Sequence, residues 1–188
     1  MDSLIVTFTG ASGAGKSSAI KELLKRKNVV LLSSNTTRKP EERDLPGEYR
    51  YYTEEQFAFI QKGGWFLWHV EAHGFRFGTR KDDIDRALQG QGKLIVLHAL
   101  APSIRTLMRY APGRVRPFYI HVSSPEVLAE RLRGRGDATE SIARRMEDCK
   151  TWDEEARQSD IPYCFVPNNK TIKKAVREIL AQLPKIRP

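Results

Sequence analysis

Short apolar runs alternate with amphipathic segments along most of this 188-residue chain. The runs are rich in β-branched and aromatic residues, which is typical of strands buried on both faces. They occupy residues 4–9, 29–32, 94–97, 118–122 and 163–166. Between them, segments such as 16–25 carry apolar residues at helical spacing. This alternation predicts an α/β fold with a central, mainly parallel five-stranded sheet and helices on both faces.

Residues 35–80 interrupt the alternation, because they are polar, aromatic and rich in glycine. Residues 49–52 and 66–70 resemble short strands, and residues 53–62 resemble a short helix. We therefore expect one domain with an inserted lobe at 35–80 and a lid at about 131–145. The core of that domain would comprise residues 1–34, 81–130 and 146–188.

Composition narrows the class of protein without naming its partner. Hydrophobic residues make up 40% and charged residues 29% of the chain, as in ordinary globular domains. No apolar run approaches the roughly 18 residues of a membrane span, and the first residues lack the basic start of a secretory signal. Two cysteines without metal-ligand spacing suggest reduced thiols and a cytoplasmic location. The net charge of +9 leaves nucleic acid, a membrane surface or small anionic substrates open.

Residues 10–17 read GASGAGKS and match the phosphate-loop pattern G-x-x-x-x-G-K-[ST]. The glycines let successive backbone N–H groups point at phosphate oxygens, and the next helix offers its positive end. Lys16 would reach the β- and γ-phosphates, and the Ser17 hydroxyl would bind Mg²⁺. The match comes after an apolar strand and begins a helix, which is the expected context. The donor-binding residues predicted here are Gly10, Ser12, Gly13, Ala14, Gly15, Lys16, Ser17 and Ser18.

The class of nucleotide enzyme depends on the residues at the ends of the other strands. Switch GTPases and motor ATPases usually need an acid at the end of a nearby strand. The third apolar run instead ends in His98 and Ala99. A kinase for a small phosphorylated acceptor fits the chain length and the inserted lobe better.

Several segments then appear in a characteristic order. Ser34-Asn35-Thr36-Thr37-Arg38-Lys39-Pro40 comes directly after the second strand, and Gly47-Glu48-Tyr49-Arg50-Tyr51 comes next. His73-Gly74-Phe75-Arg76-Phe77-Gly78-Thr79 closes the insertion, and an arginine-rich stretch begins at Arg131. Together with the phosphate loop, this order resembles the guanylate kinase family over nearly the whole chain.

The resemblance implies ATP- and Mg²⁺-dependent transfer of a phosphoryl group to GMP or dGMP. Arg38 and Tyr49 match residues that hold the acceptor phosphate, and Ser34 and Thr79 match hydroxyls that bond the guanine edge. Arg131, Arg135 and Arg145 match lid arginines that close over the transferred group. Asn168 matches a residue beside the adenine of ATP. Lys16 and the four arginines named here would converge on the phosphates of the two nucleotides. These five positive charges argue against nucleic acid as the partner.

The chain departs from the family pattern mainly at the acceptor site. Glu41 stands where the family has a second phosphate-binding arginine, and Arg43 is a nearby substitute. Trp68 occupies the place of the acid that pairs with guanine, and Glu71 is three residues further on. The acid of the third strand falls at or beside Ala99.

These departures keep other acceptors open. A different nucleotide or a sugar phosphate such as ribose 1,5-bisphosphate is one alternative, and a silent binding module of the same fold is another. The hypothesis of a kinase that acts on nucleic acid ends is supported only by the net charge. Trp68 would either stack on a base or fill the core, and an apolar run favours the core. The sequence leaves the oligomeric state undetermined.

Overall fold

The structure, a computed structural model, describes residues 2–72, 74–134, 136 and 138–184. Within these residues, two sheets are formed. Their strands are β1 Leu4–Thr9, β2 Val29–Leu31, β3 Ser34–Thr36, β4 Tyr49–Tyr51, β5 Phe66–Ala72, β6 Phe75–Arg80, β7 Leu94–His98, β8 Val115–His121 and β9 Cys164–Pro167. The helices are α1 Lys16–Leu23, α2 Glu54–Lys62, α3 Lys81–Gln89, α4 Ala101–Tyr110, α5 Pro125–Arg133, α6 Thr139–Gln158 and α7 Ile172–Ala181.

A five-stranded sheet in the order β2-β7-β1-β8-β9 forms the centre of the molecule, and its neighbouring strands run parallel. Strand β1 lies in the middle and is buried along its whole length. Apolar residues of α1, α5, α6 and α7 pack on one face in the largest cluster. Residues of α3 and α4 pack on the other face. The prediction of a parallel sheet covered on both faces is confirmed.

A second sheet with the order β4-β3-β6-β5 is built from residues 34–80. Helix α2 packs on it through Phe57 and Ile60, which meet Phe66. A capping box begins α2, because the Thr53 hydroxyl accepts from the backbone N–H of Gln56 and the Gln56 side chain accepts from that of Thr53. Two residues, 32 and 33, separate β2 of the first sheet from β3 of the second.

Two details differ from the sequence-based expectations. The apolar run of β2 predicts burial on both faces, but β2 lies at the sheet edge and Val30 is 41% exposed. Strand β3 has no apolar pattern, although Asn35 and Thr36 are fully buried. Helices α5 and α6 include residues 131–133 and 139–145 of the segment expected to form the lid. No helix among the described residues is both long and apolar enough to cross a bilayer.

Candidate functional site

The phosphate loop lies at the carboxyl end of β1 and leads directly into α1. Gly10 has a φ of 139°, and a Cβ there would overlap the carbonyl oxygen of Ile120. Gly15 caps α1 in the left-handed conformation. Only glycine fits both positions, because one has no room for a side chain and each has a positive φ. The loop therefore presents backbone N–H groups and a helix N-terminus to one space, which suits anionic phosphate.

Lys16 lies over this loop. Its Nζ donates to the carbonyl oxygens of Gly10 and Ala11, at 2.7 and 2.9 Å. The two bonds hold the ammonium beside the cradle, where it would meet the phosphates of a bound nucleotide.

Two side chains from distant parts of the chain reach the same loop, and a third bonds to one of these two residues. Asn168, just after β9, donates through Nδ2 to the Ala14 carbonyl at 2.8 Å. Arg131 of α5 donates to the Asn168 carbonyl at 2.8 Å. Arg145 of α6 donates to the Ser12 hydroxyl at 2.7 Å. The structure thus brings together the predicted residues Arg131, Arg145 and Asn168, whereas Arg135 lies outside the described residues.

Two atoms of this group indicate that a polar ligand fits here. Arg131 Nη1 and Asn168 Oδ1 are buried and have no hydrogen-bond partner within the described part of the chain. Buried polar atoms are normally bonded, so an unbonded donor and acceptor beside the loop are compatible with a nucleotide. These residues and the glycine cradle fit ATP.

The fit to Mg²⁺ rests on fewer groups. Ser17 is exposed in the first turn of α1 and offers one hydroxyl oxygen. Among the described residues, no group of three or more histidine, cysteine or acidic side chains forms a metal cluster. Mg²⁺ commonly binds through substrate phosphates, waters and one or two protein oxygens. Ser17 fits this mode, in which the nucleotide supplies most of the ligands.

The acceptor residues predicted from sequence share one face of the second sheet. Ser34 pairs with Tyr49, Thr36 with Phe77, and Trp68 with Thr79. Directly paired residues point to the same side of a sheet, and so do residues two apart on one strand. Ser34, Tyr49, Trp68 and Thr79 therefore lie on a common face, which we call the acceptor face.

Arg38 extends over this face, with its Cζ 5.0 Å from the centre of the Tyr49 ring. Its guanidinium contacts Asp44 at 2.7 Å and Glu41 at 2.9 Å. Burial opposes its charge, but the hydrogen bond to Asp44 leaves the Arg38 pKa above its usual value. Burial likewise opposes ionisation of Asp44, but hydrogen bonds from Arg38, the Glu41 backbone and Tyr51 lower its pKa. A phosphate that binds Arg38 must compete with these two carboxylates.

Arg43, the suggested substitute for the second arginine, pairs with Glu41 and is 60% exposed. Its guanidinium is thus held by Glu41, the residue that stands where the family has the second arginine.

Trp68 and Glu71 point to opposite faces of the second sheet. Trp68 is partly buried and packs against the cluster that contains Ile5 and Leu32, as the core interpretation predicts. Glu71 pairs with Arg76 three residues further along β5, so it points to the opposite side from Trp68 and Thr79. The suggestion that Glu71 reads the acceptor is not supported by this register, because its carboxylate is exposed on the other face.

His98 and Glu48, to which the sequence assigned no role, meet between the two sheets. His98 ends β7, next to Phe8 on β1, and its Nε2 lies 3.3 Å from Oε1 of Glu48. Burial and the nearby charge of Lys16 lower the His98 pKa to about 3, and burial raises the pKa of Glu48. The position of His98 at a strand end was a signal, but nothing in the sequence indicated that Glu48 would reach it.

Comparison with known proteins agrees with this arrangement. The family model described as guanylate kinase matches residues 2–185. A guanylate kinase of Wolinella succinogenes is 32% identical over 180 residues, which cover 94% of this chain and 81% of that protein. A guanylate kinase of Sus scrofa is 31% identical over 185 residues, with 94% and 91% covered.

A solved structure shares the fold. The crystal structure of guanylate kinase from Anaplasma phagocytophilum superposes with a TM-score of 0.69 at 19% identity, covering 99% of this chain and 89% of that one. The resemblance inferred from the phosphate loop, Arg38 and Thr79 is therefore confirmed at the level of the family. This chain belongs to the guanylate kinase family.

Proposed function

We propose that this protein is a nucleoside monophosphate kinase that transfers the γ-phosphoryl group of ATP to GMP or dGMP, giving GDP or dGDP. The observation that carries the proposal is the pairing of an intact phosphate loop with an acceptor face bearing Arg38, Tyr49 and Thr79. Relatives named guanylate kinase, about one third identical, support the choice of acceptor.

The protein would catalyse this reaction by positioning the two substrates and neutralising their negative charge. Phosphoryl transfer brings two anions into line, so catalysis depends on cations that converge on both. Lys16 and the loop amides would hold the donor phosphates, and Arg38 with the Tyr49 hydroxyl would hold the acceptor phosphate. Burial raises the pKa of Tyr49, so its hydroxyl stays protonated; Glu48 is its hydrogen-bond partner, and the hydroxyl would turn from Glu48 to donate to the phosphate.

Arg131 and Arg145, with Arg135 as a further candidate, would neutralise charge on the transferred group. Ser17 would hold Mg²⁺ together with the nucleotide, and the ion would supply further neutralisation of charge. We also propose a cytoplasmic location, since both cysteines are free thiols, which are typical of reducing compartments.

A coupled assay of ADP release tests this function. The acceptor panel comprises GMP, dGMP, AMP, CMP, UMP and a base-free sugar bisphosphate. Turnover that requires a nucleoside monophosphate and is greatest with GMP or dGMP is expected. Turnover with the sugar phosphate alone would contradict the proposal, and so would none with any acceptor.

Two variants assign the sites in that assay. Lys16→Ala should lower kcat by about a hundredfold or more while the fold is retained, because charge stabilisation at the transferred group is lost. Arg38→Ala should raise KM for GMP and leave KM for ATP nearly unchanged. Arg109→Ala, which removes an exposed arginine on α4, is the matched control. An unchanged KM for GMP in Arg38→Ala would disprove the acceptor face.

A further inference from the structure

Glu48 and His98 meet where the two sheets adjoin. Glu48 precedes β4 of the second sheet, and His98 is the last residue of β7 in the first. Their side chains are 8% and 21% exposed, and Glu48 Oε1 lies 3.3 Å from His98 Nε2. The other carboxylate oxygen accepts from the backbone N–H of Leu45 at 2.9 Å, which fixes the orientation of Glu48.

The Nε2 atom of His98 has unused bonding capacity. It is buried, and its contact with Glu48 is not aligned as a hydrogen bond. The Thr79 hydroxyl of the acceptor face is also buried without a partner among the described residues, and Thr79 is 1% exposed. Unbonded polar atoms in a folded interior call for an explanation, and a ligand group is one.

The surroundings set the protonation of the pair. The charge of Lys16 acts on His98, the Tyr49 side chain is a hydrogen-bond partner of Glu48, and the charges of Asp44 and Arg38 act on Glu48. The lowered pKa of His98 makes its imidazole neutral at physiological pH. A neutral ring beside a carboxylate favours the tautomer with hydrogen on Nε2, because a lone pair there would face negative charge. The pair then offers one N–H donor beside one carboxylate acceptor.

A donor and an acceptor side by side are complementary to a lactam edge, in which a carbonyl oxygen adjoins a ring N–H. Guanine presents this edge through O6 and N1–H, whereas adenine presents an amino group and a bare ring nitrogen. We infer that His98 and Glu48 form the specificity-determining pair of the acceptor site and bind the lactam edge of a 6-oxopurine monophosphate. The inference rests on the proposed function, because it concerns the same acceptor.

A consequence concerns the 2-amino group of guanine. The pair engages only O6 and N1–H, which inosine monophosphate shares with GMP. Glu71, the other acid considered from the sequence, lies on the opposite face of the second sheet. We therefore expect kcat/KM for IMP within about tenfold of that for GMP. AMP should be at least about a hundredfold poorer, since it leaves the pair unsatisfied.

Three substitutions at the two positions test the pair. His98→Phe keeps a ring of similar size and removes Nε2, and should raise KM for GMP and IMP alike by about tenfold. Glu48→Gln keeps the shape and replaces one acceptor oxygen with a donor, so the preference for GMP over AMP should narrow by about tenfold. His98→Gln, which can return a donor, should recover part of the loss. In all three variants KM for ATP should stay close to the wild-type value.

His121→Phe is the matched control, because His121 ends the neighbouring strand β8 on the other side of β1. It should leave the ratio of GMP to AMP activity unchanged. Thermal unfolding and ATP affinity establish that each variant is folded. Should Glu48→Gln fail to fold, His98→Phe and His98→Gln decide the question alone.

The outcomes separate this inference from the proposed function. Turnover of GMP by the wild type, with unaltered KM values and base preference in His98→Phe, would overturn the pair but not the kinase. Absence of turnover in the wild type would overturn the kinase, and GMP binding measured by calorimetry would then decide the pair. Loss of GMP affinity in His98→Phe supports the pair, and unchanged affinity refutes it.

Discussion

The guanidinium of Arg38 lies among groups that compete for it. Asp44 and Glu41 contact it, and the Tyr49 ring lies beneath it. Asp44 also accepts from the Tyr51 hydroxyl and the Glu41 backbone, so it is held on several sides. Glu41 is more exposed and has fewer fixed contacts, which makes it the partner that an arriving phosphate displaces more easily.

Removing the charge of Glu41 should therefore help the acceptor to bind. Glu41→Gln is expected to lower KM for GMP by about threefold, since a partly exposed ion pair contributes at most about 1 kcal/mol. Glu42→Gln, which makes the same charge change at an exposed neighbour, should have little effect. Steady-state kinetics at low salt decide this, and a raised KM in Glu41→Gln would mean that Glu41 supports Arg38.

One motif was enough to predict the donor residues, because the phosphate loop, Lys16 and Ser17 are neighbours in the sequence. The acceptor site was harder to predict from the sequence. Arg38, Tyr49 and Thr79 were found through the resemblance, but the partners Asp44 and Glu48 were not. The contact of Asp44 with Arg38 depends on how the loop before β4 folds, and that of Glu48 with His98 depends on how the second sheet meets the first; no local pattern encodes either. Glu71 shows the same limit, because a shift of one residue moves a side chain to the opposite face.

The junction of β1 and α1 is the element on which the donor site depends. Strands β1, β7, β8 and β9 were predicted because buried parallel strands form continuous apolar runs. Strand β3 was missed, since its buried polar residues bond to neighbours instead: Asn35 donates to the Gly78 carbonyl at 3.0 Å. The edge position of β2 was missed as well, because strand order is a property of the whole sheet.

Gly10 at that junction should tolerate no side chain. Gly10→Ala forces a methyl group into the Ile120 carbonyl oxygen, so we expect a loss of at least about 3 kcal/mol in unfolding free energy. Gly92→Ala is the control, because Gly92 has a positive φ but no described atom within 4 Å of an added Cβ, and should cost only about 1 kcal/mol. Urea denaturation measures the unfolding free energy of both variants. Equal losses would show that backbone strain alone, and not the overlap with Ile120, accounts for the destabilisation.

The whole molecule carries a net charge of +9, but only part of it lies at the site. Lys16, Arg131 and Arg145 lie around the loop, and Arg38 lies on the acceptor face. Other arginines, such as Arg109 and Arg177, are exposed on α4 and α7. Screening at physiological salt weakens the attraction of charges that lie more than about 8 Å from the nucleotide. The four cations at the site should therefore attract nucleotides more than the total charge does.

Salt should therefore weaken the binding of both substrates. Raising ionic strength from about 0.05 to about 0.3 M is expected to raise KM for ATP and GMP several-fold with little change in thermal stability. A double variant, Arg109→Gln with Arg177→Gln, lowers the net charge by two and should keep the wild-type salt dependence. A weaker salt dependence in that variant would show that the total charge, not the site, attracts the nucleotides.

The two-residue connection between β2 and β3 has a consequence for how such a protein diverges. Arg38, Tyr49 and Thr79 belong to the stretch after it, whereas the phosphate loop, Arg131 and Asn168 lie elsewhere in the chain. Substitutions at the acceptor face therefore leave the donor loop's backbone untouched. The departures that the resemblance implies at Glu41 and Trp68 fall in this stretch, whereas the phosphate-loop motif is complete. Changes within residues 34–80 would therefore alter the acceptor face without altering the phosphate loop.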